Sequence, residues 1–335
     1  MPPPTNNQAQ NFVNPVTFLT DKDMLSSSAS LVPETLPKAV CHGRVQDPET
    51  MVQKAWWKSV FGDNLYLQTD GDVVEDPAIT LEEVRLLEGY QVVHSILQTV
   101  PNNDTEKPRI LDLCCGQGRH ILQLAELYPH LELHGHDQSE YLVRLAQSRA
   151  EKAEVTERVH FTIGDCRSIP HPDNTFSLVL VMGNSFGYFA SDNANTDLLK
   201  EIRRILKPGG IAVLDLADGA FLRENFSPRG WEWIDDTMIV CRERQLSKDR
   251  RRLVSREVVI STGKGVIRDQ FYQECLYDLN EIDQLVREAG LVNYGKGKDG
   301  EEASVSGNTL GKDMSKRGED LGMMEQRNFV LITKQ

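Results

Sequence analysis

Long apolar runs are absent from this 335-residue chain. No stretch approaches the roughly 18 consecutive apolar residues that cross a bilayer, and the opening MPPPTNNQAQ lacks a charged-then-apolar leader pattern. A soluble, cytoplasmic protein is the expectation. Cationic charge is scarce as well: 37 Lys and Arg stand against 50 Asp and Glu, for a net charge of −13. That balance argues against a nucleic-acid partner, because phosphate neutralisation needs clustered Lys and Arg. The one basic run, Lys248-Asp249-Arg250-Arg251-Arg252, reads as a solvated hairpin tip. The six cysteines (41, 114, 115, 166, 241 and 275) form no C-x-x-C pair and no zinc spacing, so no metal is expected and the thiols read as reduced. No Ser-His-Asp order and no phosphate loop is found either.

What is present begins at Ile110-Leu111-Asp112-Leu113, a short apolar run that reads as a buried parallel strand. Cys114, Cys115, Gly116 and Gly118 follow, and apolar residues return at helical spacing as Ile121, Leu122, Leu124 and Ala125. A strand that turns through small residues into a helix lets a ligand lie against bare backbone at the helix N-terminus. A dinucleotide fingerprint would need a third glycine where Ile121 stands. Asp112 would also sit badly beside a pyrophosphate, but it suits a ligand that carries an ammonium group.

Four more elements follow at βα spacing. Leu131 to His136 leads to Asp137, nineteen residues past Gly118, where an acid can hold the hydroxyls of a ribose. Val159 to Gly164 runs into Asp165 and Cys166, and Phe176 to Met182 runs into Gly183-Asn184-Ser185-Phe186-Gly187-Tyr188. Leu206-Lys207-Pro208-Gly209-Gly210 then closes a helix and opens the strand Ile211 to Asp215.

In this order the motifs resemble those of the class I S-adenosylmethionine-dependent methyltransferases of small-molecule type, over roughly residues 105–295. The resemblance implies an α/β fold with a Rossmann-like, seven-stranded, mostly parallel sheet, and S-adenosyl-L-methionine as cofactor. By the same resemblance Asp112, Gly116 and Gly118 border the methionine part of the donor, Asp137 its ribose, and Asp165 with Cys166 its adenine. Cys114, Gln138 and Met182 belong to the same cofactor side. Segments ahead of the first motif cover the cofactor in that family, often with a tyrosine near the methyl donor, and Tyr66 is the candidate here. Trp56, Trp57 and Tyr66 serve equally well as core anchors. Asn184, Phe186 and Tyr188, with Tyr272, are the candidate acceptor-binding residues. Asn184-Ser185-Phe186 departs from the Asn-Pro-Pro-aromatic signature of methylation on planar amide or base nitrogens. No catalytic residue is assigned: His120, His94 and His171 are considered as bases and none is chosen.

The chain divides into a flexible arm (1–45), a helical lid (46–104) and the main domain (105–335), which contains a β cap at about 219–277 and a long mobile loop at 295–327. A helix from Thr80 to Val100 opens on a Thr80/Glu83 capping box. Met238–Arg244, Leu253–Ile260 and Val266–Tyr272 form an antiparallel meander, either a wall of the substrate pocket or a homodimer contact. The late Asp320 to Glu325 segment fits the same whole-chain likeness. The expected function is in-line methyl transfer to a nitrogen or oxygen of a small-molecule acceptor, where well-aligned approach supplies about 7–11 kcal/mol. The alternatives are a non-methylating regulator on this fold and, less favoured, an NAD-dependent oxidoreductase.

Overall fold

The computed structural model describes residues 40–101, 106–294 and 326–335. Most of the arm and the loop over 295–325, with Asp320 to Glu325, lie outside the described residues. In chain order the strands are β1 (Arg109–Leu113), β2 (Glu132–Asp137), β3 (Val159–Ile163), β4 (Phe176–Val181), β5 (Leu206–Ala217), β6 (Arg229–Asp235), β7 (Met238–Leu246), β8 (Arg252–Ser261), β9 (Gly265–Cys275), β10 (Val292–Asn293) and β11 (Arg327–Thr333). Helices α1 (Trp57–Val60), α2 (Leu65–Thr69), α3 (Gly71–Val74), α4 (Pro77–Glu88) and α5 (Gln91–Leu97) precede β1. Helices α6 (Arg119–Leu127), α7 (Glu140–Lys152), α8 (Asp192–Ile205), α9 (Gly219–Asn225) and α10 (Leu279–Glu288) alternate with the strands that follow.

Seven strands form the main sheet in the order β10-β11-β5-β4-β1-β2-β3. Strands β1 to β5 run parallel, and β11 is antiparallel to both β5 and β10. Strand β1 neighbours both β2 and β4, so the chain reverses its direction of travel across the sheet there. Such a switch point opens a crevice at the carboxyl ends of the strands. Strand alternation sends side chains to two cores. Leu111, Leu113, Val179 and Val181 pack with Leu198 and Ile202 of α8 and Ile282 and Val286 of α10. Ile110, Leu178 and Leu180 pack on the opposite face with Ile121 and Leu124 of α6 and with Val84, Leu87, Val93 and Leu97 of α4 and α5.

Three local expectations are corrected. The helix expected from Thr80 to Val100 is two helices, and the first starts at Pro77 with Asp76 as cap, its side chain accepting from Ala78 N at 2.8 Å. Glu83 makes no capping box, because its carboxylate turns inward to Arg119, His120 and Arg327. The Lys-Pro-Gly-Gly turn lies inside a long β5 that begins directly after α8, with a register shift against β4 between Phe176 and Leu178.

The second sheet is an antiparallel meander in the order β6-β7-β8-β9, and it has one strand more than expected. Strand β6 lies ahead of the three expected strands. Its outward Trp231 and Trp233 break the apolar-inside pattern that marks a buried strand. A tight seam joins this sheet to the main one. Gly219 N donates to Tyr277 O, and a Cβ at Gly219 would lie 2.4 Å from the Leu276 backbone.

Candidate functional site

At the end of β1 the chain passes through three residues with positive φ: Cys114 (62°), Gly116 (52°) and Gly118 (77°). Cys114 N donates to His136 O at 2.8 Å, which ties the turn to β2. Asp137 completes the tie, accepting from Gly116 N on Oδ2 at 2.9 Å and from Ser139 N on Oδ1 at 2.8 Å. Burial pushes the Asp137 carboxyl up, and those backbone donors oppose the shift. A Cβ at Gly116 would meet only Leu142 Cδ1 at 3.7 Å, so bare backbone there faces open space. Gly118 is small for another reason: a Cβ would approach Ala146 and the Phe161 ring to 3.0 Å. Gly118→Ala is therefore expected to destabilise the fold by about 1–3 kcal/mol, through backbone strain and crowding. Gly116→Ala shares the backbone strain but not the crowding, so it should destabilise less and in addition weaken ligand affinity. Thermal melts and ligand titration of both variants check this, and equal melting temperatures would contradict it.

The segment ahead of β1 closes over this turn. Gln117 Nε2 donates to Val74 O at 2.9 Å and Glu75 Oε1 at 3.0 Å, and Arg149 pairs with the same Glu75. Ser139 Oγ donates to Phe61 O. These ties carry Trp56, Phe61 and Tyr66 into an aromatic cluster with Tyr188 and Tyr272. Trp56 lies 4.8 Å from Tyr188 and 5.5 Å from Tyr272 between ring centroids, and Phe61 lies 4.8 Å from Tyr66.

One cavity of about 970 Å³ runs between the turn and this cluster. On the turn side it is lined by Cys114, Gly116, Asp137, Gln138, Asp165, Cys166 and Met182, with Tyr66 from the covering segment. Asp165 is held by Arg167, whose guanidinium lies 4.2 Å over the Phe189 ring. The Cys114 thiol hydrogen-bonds Cys166, and that contact with burial pushes it up. On the far side the cavity meets Asn184, Tyr188 and Tyr272.

Three of the residues singled out in the sequence stand behind the wall. Gly118 packs against α7, and Phe186 is buried in the core with its ring centroid 5.8 Å from that of Tyr277, so Phe186 is corrected to a packing residue. Asp112 lies beneath the turn, 1% exposed, with Oδ2 unpartnered among the described residues apart from His120 Nδ1 at 3.8 Å. Burial raises its carboxyl to about 8. His120 is itself buried against Glu83 Oε2 at 2.9 Å, and burial holds it below the ordinary histidine range. His171 packs instead on His134 and Phe176, and neither it nor His94 touches the cavity.

Two sets of functional residues escaped sequence reasoning. The first is a buried ion network: Arg327 pairs with Asp215 and donates to Glu83 Oε1 at 2.7 Å, and Glu83 also pairs with Arg119. The second is the cavity-facing side of the antiparallel sheet, with Arg242, Arg244, Glu257, Gln270 and Glu274. Asn184 joins the two halves. At φ 56° it accepts from Ala217 N on Oδ1 at 2.9 Å and donates from Nδ2 to Glu274 Oε2 at 2.8 Å.

Residues 110–210 match a family model described as a methyltransferase domain. With the strand order, the small-residue turn and Asp137, this match makes residues 110–210 a methyltransferase domain, with S-adenosylmethionine as its cofactor. Among curated proteins the chain is 31% identical over 183 residues to 27-O-demethylrifamycin SV methyltransferase of Amycolatopsis mediterranei, covering 55% of this chain and 53% of that one. It is 40% identical over 106 residues to demethylmenaquinone methyltransferase of Lactiplantibacillus plantarum, covering 31% and 43%. The chain thus spans about half the length of these two relatives. Among solved structures, the CcbJ methyltransferase from Streptomyces caelestis shares the fold with a TM-score of 0.55 at 19% identity, over 74% of this chain and 88% of that one.

Proposed function

We propose that this protein transfers the methyl group of S-adenosylmethionine to a nitrogen or oxygen atom of a small-molecule acceptor by in-line displacement. One observation carries the reading: a single cavity joins the cofactor cradle at Gly116 and Asp137 to an acceptor wall at Tyr188, Tyr272 and Glu274. The residues present fit the cofactor. Gly116 leaves room against bare backbone. Asp137 keeps lone pairs on both oxygens beyond those used by Gly116 N and Ser139 N, enough to accept from two ribose hydroxyls. Asp112 lies behind this lining, beneath the turn, and supports the turn from below without meeting the cofactor. Cys166 and Asp165 border the adenine position, and Met182 with Tyr66 the reacting end. When bound, the cofactor supplies an electrophilic methyl carbon on a sulfonium. The protein's own contribution is to hold the acceptor in line and exclude water. Residues 46–104 act as the lid through Gln117 and Tyr66, and residues 219–277 as the cap that bears the acceptor wall.

Calorimetric titration with S-adenosylhomocysteine and, separately, with NAD tests the reading. Micromolar binding of the former alone is the expected result. Absence of that binding would move the chain to the second reading, a regulator that keeps the fold, and NAD binding alone would favour the oxidoreductase.

A further inference from the structure

We infer that Glu274 is the group that anchors the acceptor and takes its proton, and that the acceptor atom is a primary or secondary amine nitrogen that enters as an ammonium ion. The inference rests on the methyl-transfer reading and names the substrate class of that same site. Along β9 alternate residues face the cavity: Arg268, Gln270, Tyr272 and Glu274. Two of these are committed elsewhere. Arg268 pairs with Asp63, and Gln270 donates to Glu257 Oε1 at 3.0 Å. Glu274 is fixed but unfinished. Glu274 lines the cavity; Asn184 holds its Oε2 at 2.8 Å, while Oε1 is buried and has no partner among the described residues. A buried oxygen left unsatisfied costs free energy, and native structures keep few of them away from functional sites.

The surroundings select a cation. Trp56, Tyr188 and Tyr272 form a wall with centroids 4.8 and 5.5 Å apart, and aromatic faces attract cations. Burial pushes the Tyr188 and Tyr272 hydroxyls above their ordinary range, so neither competes as an anion. Arg244 on β7 faces Glu274 electrostatically, and with Asn184 it opposes the rise due to burial, which still takes the carboxyl to about 8. Arg242, the other cavity-facing guanidinium of β7, is neutralised by Glu232 and Glu257. An alkylammonium titrates near about 10.4, as lysine does, within reach of such a carboxylate. An alcohol, with an O–H close in acidity to that of water, is not. In the step, an N–H bond of the ammonium breaks and leaves its electron pair on nitrogen, an O–H bond forms on Glu274 Oε1, and the proton leaves to solvent after product release.

The test titrates S-adenosylhomocysteine-loaded protein with 2-phenylethylamine and with 2-phenylethanol, in wild type, Glu274→Gln and Glu274→Asp. Amine binding in wild type should weaken at least tenfold in Glu274→Gln, with the alcohol weak and unchanged and S-adenosylhomocysteine affinity held within twofold. Transfer of labelled methyl to the amine should rise with pH to a plateau above about 8, because the ionised carboxylate is the active form. Glu274→Asp should keep that limb at a lower rate, and Glu274→Gln should lose it. An alcohol that binds as tightly as the amine, no amine binding in wild type, or amine affinity indifferent to Glu274→Gln overturns the inference while leaving the methyl-transfer reading intact. Loss of S-adenosylhomocysteine binding in wild type would instead overturn that underlying reading.

Discussion

Arg327→Met is expected to lower the melting temperature by on the order of 10 °C, the largest stability effect of any single substitution considered for this protein. Arg327 is 2% exposed and holds two carboxylates at once, Asp215 through Nε at 2.8 Å and Glu83 through Nη1 at 2.7 Å. Methionine fills much of the same space but leaves both acids buried, with only Arg119 still balancing Glu83. Removing one partner of a buried ion pair costs about 3–5 kcal/mol, chiefly because the other charge stays uncompensated. The charges explain a neighbour too. Two guanidiniums balance Glu83 and Asp215; Arg119 also favours the charged form of Asp112, but burial outweighs it and keeps that third acid largely protonated up to about 8. Asp215 Oδ2 also accepts from Gly183 N at 2.7 Å, so the network braces the loop that carries Asn184. Adding Glu83→Gln and Asp215→Asn to Arg327→Met should recover a large part of the loss. Thermal and urea unfolding of the single and triple variants measure this. A single variant as stable as wild type would mean that the two acids are satisfied without Arg327.

What the sequence made legible follows from the range of the interactions involved. The strand–turn–helix at 109–127 and the acids at 137 and 165 are set by local alternation and turn chemistry, so the fold could be read from neighbouring residues, and both acids line the cavity. The boundaries failed where a tertiary partner outbid a local motif. Glu83 lies three residues from Thr80, but a guanidinium 244 residues further on claims its carboxylate. Nothing near Arg327 in sequence signals that pairing. Phe186 was misplaced because an aromatic after a strand reads the same whether it lines a cavity or fills a core, and only packing against Tyr277 separates the two. Glu274 was within reach. Once Tyr272 is placed on the cavity face of a strand, the two-residue period puts Glu274 on the same face. Its burial, by contrast, is set by tertiary packing and leaves no local mark in the sequence.

Asp137→Ala is the second large effect, a fall in S-adenosylhomocysteine affinity on the order of 100-fold. The carboxylate has two tasks, and alanine ends both. Its oxygens accept from Gly116 N at 2.9 Å and Ser139 N at 2.8 Å, which holds the turn after β1 against the start of α7. In the proposed cofactor pose the same oxygens would offer their remaining lone pairs to the ribose. A hydrogen bond to a charged group contributes about 1.5–3 kcal/mol, so loss of two ribose contacts alone accounts for the predicted factor. Asp137→Asn separates the tasks. An amide keeps one accepting oxygen and the side-chain volume, so it can hold one backbone donor, but it presents an N–H₂ where a ribose hydroxyl needs an acceptor. Calorimetry with S-adenosylhomocysteine, run well below the melting temperature of each variant, should therefore order the affinities as wild type, then Asn, then Ala. If the alanine variant binds as wild type does, the ribose is held elsewhere and Asp137 is only a strut for the turn. If asparagine binds as wild type while alanine fails, the strut is the part that matters, and a melting temperature lowered only in the alanine variant would accompany that result.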